Sequence, residues 1–400
     1  MKVVIAIDSF KGSMTSMEAG NAAKSGILKA CPEANVVVKP LADGGEGTTE
    51  ALMEGFGGEK HLIQVTGPME NPVTAMYAYL PGEETVIMEM ASAAGITLIP
   101  GEKNPLKATT FGVGEMIKDA IEKGYRKFIV GIGGSATNDG GMGMLQALGY
   151  TFLDCENRPL GLGAQALSHV AKIDDSQVLP QLKECSFRVA CDVRNPLCGP
   201  QGATYVFGPQ KGVTESMRAD LDRAMMGYAE VAENYLHKKE LSGCAIEPAE
   251  GGGVSNSQAG GTIVPYASLP GTGAAGGLGF AFLAFLGAEL VPGIELILDA
   301  IRLENELQDA DYVLTGEGRL DGQTAMGKVP VGVAKLAKKY GCKVLAFAGA
   351  VTPEARECNE QGIDAFFPIV RGVTTLEQAM DTDNAVRNMS DTVEQVFRLL

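Results

Sequence analysis

Charged side chains recur in glycine-rich loops that directly follow strand-like runs of the sequence. The five runs are VVIAIDSFKGS, VKPLADGGEGT, FIVGIGGSATNDGG, RVACDVRNPLCG and YVLTGEGRLDGQT. Glycine lets backbone N–H groups approach an anionic ligand closely, and a following helix directs its positive dipole end to the same place. Because the carboxyl ends of parallel strands meet at one edge of a sheet, these loops predict a phosphate-binding crevice.

The carboxylates of these loops are candidates for acid–base chemistry and for Mg²⁺ coordination through oxygen. They are Asp8, Asp43, Glu46, Asp139, Asp192, Glu317 and Asp321. Taken singly, such a residue is more often a helix cap or a turn residue. Their recurrence at strand ends favours a common site, and phosphoryl transfer needs a base, Mg²⁺ and nearby cations.

Three basic residues could supply those cations. Lys11 and Arg319 lie in loops that are otherwise small or acidic, which favours anion binding over mere solubility. Lys328 directly precedes a predicted helix and could reach a phosphate, although a solvated lysine is an equal alternative. Residues 322–328 also spell GxxxxGK, but Val329 replaces the Ser or Thr of a Walker P-loop, so that motif is not predicted.

A second near-motif favours a different enzyme class. Gly271, Gly273 and Gly276 spell GxGxxG, the pattern of a dinucleotide-binding loop. However, Pro265 and Pro270 interrupt the segment in which the required strand would lie. A hydroxy-acid dehydrogenase is therefore a weak alternative. A non-catalytic sugar-acid sensor is another, because a two-domain cleft can bind ligands without reacting.

Composition limits the partners and the cellular location. The 400 residues carry a formal net charge of −16, which disfavours nucleic acid and anionic membranes. Eight cysteines without a CxxC pair and three scattered histidines indicate neither a zinc site nor a disulfide scaffold, so a reducing cytoplasm fits best. The apolar stretch 278–288 is shorter than the roughly 20 residues needed to span a bilayer and predicts a buried helix. No signal peptide is recognisable at the start of the chain.

Hydrophobic periodicity predicts an α/β fold. Strands are expected at 2–7, 34–39, 311–314 and 343–348, and helices at 16–30, 48–54 and 331–340. Alternation after residue 61 suits an antiparallel or mixed sheet, and residues 127–148 contain another strand, glycine loop and helix.

We expect two domains with the active site in the cleft between them. The first is a discontinuous Rossmann-like domain with a parallel sheet, residues 1–65 plus 290–400, and the second is a mixed α/β domain inserted at 66–289. A consecutive split is the alternative. The Gly/Ser-rich stretch 250–262 is predicted to be a mobile loop, with a lid as the less favoured option.

Six blocks of the chain, in this order, resemble the bacterial glycerate kinase type 1 family. They are DSFKGSMTSMEA from Asp8, LADGGEGT from Leu41, GIGGSATNDGGMGM from Gly131, CDVRNPLCGPQGATYVFGPQKG from Cys191, PGTGAAGGLG from Pro270 and TGEGRLDGQTAMGKVP from Thr315. The resemblance covers nearly the whole chain. The Gly/Ser-rich stretch before Pro270 is longer than expected for the family.

The resemblance implies ATP-dependent phosphorylation of D-glycerate within glyoxylate, glucarate and galactarate breakdown, with Mg²⁺ accompanying the nucleotide. The enzyme would act in the cytoplasm as a monomer or a homodimer. The two hydroxyls of glycerate lie within about 3 Å of each other, so the residues alone leave 2- and 3-phosphorylation open. The family resemblance favours 2-phospho-D-glycerate.

The resemblance also implies roles for individual residues. Asp192 is the expected base, because it directly follows a strand and the turn at Asn195 and Pro196 could orient its carboxylate. Lys11 and Arg319 are expected to grip the glycerate carboxylate or the transferred phosphate. The residues expected to bind substrate or phosphate are Asp8, Ser9, Gly133, Gly134, Ser135, Asn138, Asp139, Asn195, Gly316, Gln323, Thr324 and Lys328. The expected metal neighbours are Asp43, Glu46, Glu317 and Asp321.

Overall fold

A computed structural model describes residues 1–42, 47–241 and 265–400. It divides into two compact units, one formed by Met1–Gly58 with Ile294–Leu400 and the other by Glu59–Gly293. Asp43, Glu46 and the stretch 250–262 lie outside the described residues. The domain limits given above from sequence stay a prediction, because compactness alone does not show that a segment folds independently.

Extended segments and helices alternate along both units. The described strands are β1 (Lys2–Ile7), β2 (Asn35–Pro40), β3 (Glu59–Thr66), β4 (Pro72–Leu80), β5 (Thr85–Glu89), β6 (Lys127–Gly131), β7 (Thr151–Leu153), β8 (Lys172–Asp174), β9 (Ser186–Ala190), β10 (Glu289–Val291), β11 (Tyr312–Leu320), β12 (Lys343–Val351) and β13 (Ala365–Pro368).

The described α-helices are α1 (Ser16–Ala30), α2 (Thr48–Phe56), α3 (Ala91–Ala94), α4 (Phe111–Glu122), α5 (Met142–Ala147), α6 (Ala203–Val206), α7 (Glu215–Leu241), α8 (Leu278–Leu286), α9 (Gly293–Ala300), α10 (Leu303–Leu307), α11 (Gly322–Ala325), α12 (Val329–Lys339), α13 (Glu357–Glu360), α14 (Leu376–Met380) and α15 (Thr382–Phe397). Short 3₁₀ helices cover Ile96–Leu98, Ala164–His169, Pro180–Glu184, Pro209–Lys211, Tyr266–Ser268, Ala274–Gly276 and Pro353–Arg356.

The first unit contains a five-stranded sheet with the order β13-β12-β11-β1-β2. Every neighbouring pair is parallel. Numbered within the unit and taken from the other edge, this order is 2-1-3-4-5, the doubly wound arrangement in which the connections reverse direction between strands 1 and 3. The predicted Rossmann-like parallel sheet is confirmed.

Helices α1 and α15 share the hydrophobic core of this unit with β1 and β11. Ile27 of α1 and Phe397 of α15 are both buried in that cluster. A Cβ on Gly26 would lie 2.2 Å from the carbonyl oxygen of Ser390, closer than real contacts allow. Glycine at this position therefore lets the two helix backbones pack at their closest approach.

The second unit contains a six-stranded sheet with the order β10-β9-β6-β5-β4-β3. Strands β3, β4 and β5 pair antiparallel, whereas β5, β6, β9 and β10 pair parallel. A separate antiparallel pair joins β7 and β8. The mixed sheet expected after residue 61 is confirmed.

The apolar stretch 278–288 forms the buried helix α8 followed by a short strand. Phe280, Phe282 and Phe285 of this helix are buried in the core of the second unit. No helix within the described ranges combines enough length and apolar character to span a bilayer.

One strand end predicted from sequence is wrong. The glycines in TGEGRL indicated that the strand beginning near residue 311 would end at 314, yet β11 continues to Leu320. Its second half pairs with β12, with Glu317 opposite Ala348 and Arg319 opposite Ala350. The ladder that β12 offers outweighs the weak strand propensity of glycine.

Candidate functional site

The connection reversal in the first unit lies between β1 and β11. In open parallel sheets, ligands bind outside the carboxyl ends of the two strands at such a reversal. The carboxyl end of β1 continues into Asp8, and that of β11 carries Glu317 and Arg319. Topology therefore brings together two of the loops that sequence analysis singled out.

The loop after β1 is fixed to β11 by its backbone. The N–H of Asp8 donates to the carbonyl oxygen of Gly316 at 3.0 Å, and its carboxylate accepts from the N–H of Ser9 at 2.7 Å. Asp8 is buried, whereas Lys11 is exposed. A Cβ on Gly318 would lie 3.8 Å from the backbone nitrogen of Lys11, so this loop and the end of β11 are in contact.

Two carboxylates at the end of β11 share one threonine. Thr324 Oγ1 donates to Glu317 Oε1 at 2.6 Å, and the N–H of Asp321 donates to the same hydroxyl at 3.2 Å. Asp321 also caps α11 by accepting from the N–H groups of Gln323 and Thr324. The capping role that such carboxylates commonly have is thus present for Asp321, and Thr324 is buried beneath the pair.

The basic side chains of this region face solvent. Arg319 Nε lies 3.7 Å from Asp321 Oδ2, with two-thirds of the arginine side chain exposed. Lys328 is exposed directly before the first residue of α12. Because residues 322–325 form the helix α11 instead of an open loop, the GxxxxGK pattern does not wrap a phosphate as a Walker motif does.

Glu317 and Asp321 are the described residues that fit the chemistry of Mg²⁺. Their oxygens are hard ligands, and Mg²⁺ bound with a nucleotide commonly takes only one or two carboxylates besides phosphate oxygens. Over the three described ranges, no group of three or more His, Cys, Asp or Glu side chains could by itself hold a metal ion. A carboxylate pair completed by phosphate oxygens is the arrangement that these residues allow.

The carboxyl ends of four parallel strands are aligned in the second unit. Glu89 of β5 lies opposite Gly131 of β6, which lies opposite Ala190 of β9, which lies opposite Val291 of β10. Consequently the loop after β6 and the segment that begins at Cys191 leave the sheet side by side. The GGSATNDGG loop and the segment that carries Asp192 therefore begin at the same edge of the sheet.

Asp192 is exposed two residues beyond the end of β9. Its Oδ1 accepts a hydrogen bond of 2.8 Å from the N–H of Gly293, the first residue of α9. The Asn195 side chain donates instead to the carbonyl oxygen of Gln201 at 2.7 Å. The carboxylate is therefore fixed by a helix terminus, and Asn195 fixes the turn that follows.

The loop after β6 has an exposed tip, Gly133 and Gly134, and a buried part that begins at Ser135. Gly133 and Gly134 are exposed, and a Cβ on Gly133 would meet nothing within 4 Å. Ser135, the next residue, is buried. Backbone donors at the tip are thus accessible to a ligand.

The polar side chains in the buried part of the loop form hydrogen bonds with other protein groups. Asp139 is fully buried and accepts hydrogen bonds from Thr110 N, Thr110 Oγ1, Gly141 N and Gly143 N. Desolvation raises the pKa of Asp139, and these four donors oppose the rise. Asn138 Nδ2 donates to Thr204 Oγ1 at 3.0 Å. These contacts support the loop, and direct ligand binding by Asn138 and Asp139 stays a prediction.

Sequence reasoning missed Lys211, whose side chain is only 1% exposed. Its Nζ donates to Ser135 Oγ at 2.6 Å and to the carbonyl oxygen of Thr137 at 2.7 Å. Burial lowers the pKa of Lys211 to about 7, and the nearby Asp139 carboxylate acts in the opposite direction. No periodicity marks this lysine, which occurs in the turn sequence GPQKG and could have been any solvated turn residue.

The GxGxxG glycines support packing, not dinucleotide binding. The described residues before Gly271 form the 3₁₀ helix Tyr266–Ser268 instead of the strand that such a motif requires. Gly276 has φ +69°, and a Cβ there would lie 1.9 Å from the carbonyl oxygen of Thr137. This segment therefore packs directly against the buried part of the loop after β6.

Comparison with known proteins agrees with the resemblance found in the sequence. Residues 3–400 match the model of the Glycerate kinase family. A relative named Glycerate 2-kinase from Escherichia coli (strain K12) is 43% identical over 380 residues, covering 95% of this chain and 93% of that protein. A relative named Glycerate kinase from Halalkalibacterium halodurans is 42% identical over 394 residues, with 97% of each chain covered.

A solved structure agrees in fold over nearly the full length. The crystal structure of a candidate glycerate kinase 2 from Salmonella typhimurium LT2 superposes with a TM-score of 0.85 at 42% identity. The match covers 99% of this chain and 97% of that one.

Proposed function

Since the chain belongs to the glycerate kinase family, we propose that it transfers the γ-phosphoryl group of ATP to the 2-hydroxyl of D-glycerate. The products are 2-phospho-D-glycerate and ADP. The observation that most directly supports this activity is the register of β6 and β9, because the segments that carry the exposed Asp192 and the exposed Gly133 follow neighbouring parallel strands at the same sheet edge. A base and anion-binding donors are among the groups that phosphoryl transfer to a hydroxyl needs from the protein.

In the proposed reaction, the 2-hydroxyl oxygen of glycerate forms a bond to the γ-phosphorus as the bond to the bridging oxygen of ADP breaks. The hydroxyl proton passes to the Asp192 carboxylate, and the electron pair of the broken bond leaves with ADP. The hydrogen bond from Gly293 holds the carboxylate in one orientation. A fixed base shortens the search for a reactive geometry, which is a major source of rate in such reactions.

Lys11 and Arg319 supply positive charge in this proposal. Both are exposed at the strand ends that flank the connection reversal, where ligands bind in doubly wound sheets. An arginine binds carboxylate or phosphate with two parallel hydrogen bonds, whereas a lysine acts as a point charge. They would bind the glycerate carboxylate or the phosphoryl oxygens.

Mg²⁺ would be held by Glu317 and Asp321 together with phosphate oxygens. When bound, it would neutralise negative charge on the phosphates. Asp43 and Glu46 are the alternative ligands. By family membership we assign the reaction to glyoxylate, glucarate and galactarate breakdown in the cytoplasm. A monomer and a homodimer are both compatible with this assignment.

The test is incubation of the purified protein with MgATP and D-glycerate, followed by ³¹P NMR of the product. Phosphorus on the 2-oxygen couples to the single proton of a CH group and gives a doublet. Phosphorus on the 3-oxygen couples to a CH₂ group and gives a triplet. We expect the doublet; a triplet would overturn the regiochemistry alone, and absence of any phosphoglycerate would overturn the kinase assignment.

A further inference from the structure

Lys211 is a buried lysine that the proposed reaction does not yet use. It ends the 3₁₀ helix Pro209–Lys211 and reaches the loop after β6 from a distant part of the chain. Burying an ammonium group costs desolvation free energy unless its hydrogen-bond donors are satisfied. Here two of the three donors bind Ser135 Oγ and the carbonyl oxygen of Thr137.

The hydrogen bond to Ser135 fixes the direction of the serine hydroxyl. An ammonium group can only donate, so Ser135 Oγ accepts from Lys211 and its own hydrogen must point to another acceptor. Ser135 directly follows the exposed residues Gly133 and Gly134. A ligand oxygen at this tip is therefore the natural acceptor of the serine hydrogen.

Backbone hydrogen bonds to a neighbouring segment also hold this loop. The N–H of Ile96 donates to the carbonyl oxygen of Gly134 at 2.9 Å, and the N–H of Ala136 donates to that of Ala94 at 2.9 Å. Lys211 binds the two residues that flank Ala136. The loop is thus held by two backbone hydrogen bonds to the segment 94–96 and by two hydrogen bonds from the buried Lys211.

We propose that Lys211 is a positioning residue of the kinase site: by binding Ser135 and Thr137 it holds the loop so that the Ser135 hydroxyl and the backbone donors of Gly133 and Gly134 face an anionic substrate. Lys211 itself does not touch the substrate. The inference rests on the proposed function, because it presumes that an anion binds at this tip.

The charges around Lys211 make its effect depend on pH. Asp139 acts on it electrostatically, the neutral phenol of Tyr228 donates to the carbonyl oxygen of Gly140 in the same loop, and Lys103 donates to the carbonyl oxygen of Gln210. With a pKa of about 7, Lys211 becomes a neutral amine as the solution turns alkaline. A neutral amine can accept the Ser135 hydrogen, so the hydroxyl would turn away from the substrate.

The decisive experiment compares kcat/KM for D-glycerate from pH 6 to about pH 9. The variants are Lys211→Met, Ser135→Ala and the double variant, with Lys103→Met as the matched control. Lys103 donates to Gln210, the residue next to Lys211, but is not bonded to the loop. Thermal unfolding of every variant separates loss of folding from loss of positioning.

We expect Lys211→Met and Ser135→Ala each to lower kcat/KM by about tenfold or more at pH 6.5, as loss of one oriented donor does in other enzymes. Both should remove the alkaline decline of the unaltered protein. The double variant should be no worse than the poorer single variant, because the two residues act through one hydrogen bond. Lys103→Met should retain the activity and the pH profile.

Several outcomes would overturn the inference. One is a folded Lys211→Met protein with kcat/KM within about twofold of the unaltered protein. If that variant does not fold, a folded Ser135→Ala protein that keeps both the rate and the alkaline decline has the same consequence. Fully multiplicative losses in the double variant would also show that the residues act independently.

Failure of the proposed function is distinguished by binding measurements. If the unaltered protein makes no phosphoglycerate, calorimetric titration with ATP and with D-glycerate replaces turnover. A weakening of about tenfold in Lys211→Met for either ligand supports the positioning role without the kinase. Equal affinity in both proteins, or no binding of either ligand, overturns it.

Discussion

Asp192, the residue that we propose as the base, is held by a hydrogen bond and still open to solvent. One carboxylate oxygen accepts from Gly293 at the start of α9, and the residue remains exposed. Its sequence position directly after a strand was enough to nominate it. The hydrogen-bond donor that holds it lies 101 residues further along the chain.

We expect Asp192→Asn to reduce kcat by at least about 100-fold while leaving ATP affinity unchanged. The amide oxygen can still accept from Gly293, so the geometry is retained, but the amide cannot take up the hydroxyl proton. Steady-state kinetics and calorimetric ATP titration measure the two effects. Near-normal turnover in this variant would show that another group is the base.

Glu184→Gln is the matched control for that substitution. Glu184 lies two residues before the first residue of β9, at the opposite end of the strand, where it pairs with Arg126 on the surface. Neutralising this carboxylate changes net charge by the same amount. Turnover and thermal unfolding should both remain close to those of the unaltered protein.

Burial of Lys211 should also make the free energy of unfolding depend on pH. Its folded-state pKa of about 7 lies below the ordinary value of 10.5, so the unfolded chain binds more protons between these limits. The free energy of unfolding therefore rises with pH through this window, and the contribution is lost as pH falls to about 7.

We expect the free energy of unfolding of the unaltered protein, minus that of Lys211→Met, to increase by up to about 1.4 kcal/mol for each pH unit above that pKa. Urea unfolding at pH 7.5 to about 9.5, where both proteins are folded, measures it. Lys103→Met should show no such growth. A constant difference across the range would mean that Lys211 keeps an ordinary pKa in the folded protein.

At the scale of elements, the loop after β6 combines an open tip with a tightly packed buried part. A methyl group on Gly133 would meet no neighbouring atom, whereas one on Gly276 would collide with the carbonyl oxygen of Thr137. The two glycines belong to different sequence motifs, yet both bear on one loop. Their substitution should therefore have different consequences.

We expect Gly133→Ala to raise KM for substrate several-fold with little change in thermal stability, because the methyl group meets no neighbouring atom but occupies space where we propose that the anion binds. Gly276→Ala should lower the unfolding temperature, since overpacking typically costs about 1–3 kcal/mol and the positive φ adds strain. Kinetics and thermal unfolding of both variants check this. Equal stability losses would argue against an open tip.

Strand β11 illustrates how tertiary pairing decides an element's length. Its glycine-containing second half would not form a strand alone, but β12 provides partners along its whole length. As a result, Glu317 and Arg319 project from a paired strand instead of a flexible loop. A paired strand holds charged side chains more rigidly than a loop can.

For the whole molecule, the chain leaves the first unit after Gly58 and returns to it at Ile294. The parallel sheet is thus assembled from the two ends of the sequence, with β1 pairing β11 at Val3 and Tyr312. An insertion of this size is tolerated because the cost of closing a chain rises only slowly with its length.

We expect MgATP to raise the unfolding temperature of the molecule and EDTA to abolish that shift. Ligand at a hundred times its Kd stabilises a protein by about 2.7 kcal/mol. Without nucleotide, EDTA should leave the unfolding temperature unchanged, because the proposed Mg²⁺ site is completed by phosphate oxygens. A large EDTA effect on the nucleotide-free protein would indicate a separate structural metal.

The sequence alone determined the family, the α/β class and the helices and strands with clear periodicity. The amphipathic pattern of the sequence predicts helix α1 at 16–30, its observed limits, and the structure adds a capping box formed by Thr15 and Glu18 at its start. Local signals of this kind depend on residues a few positions apart. The strand-end carboxylates could be nominated for the same reason.

Only the tertiary structure decided which groups meet. The alignment of β6 with β9, the capping of Asp192 by Gly293 and the burial of Lys211 against Ser135 all join residues far apart in sequence. Such contacts are set by sheet order and packing, which leave no period or spacing in the chain. A lysine in a turn therefore gave no sign that it would be buried against the loop after β6.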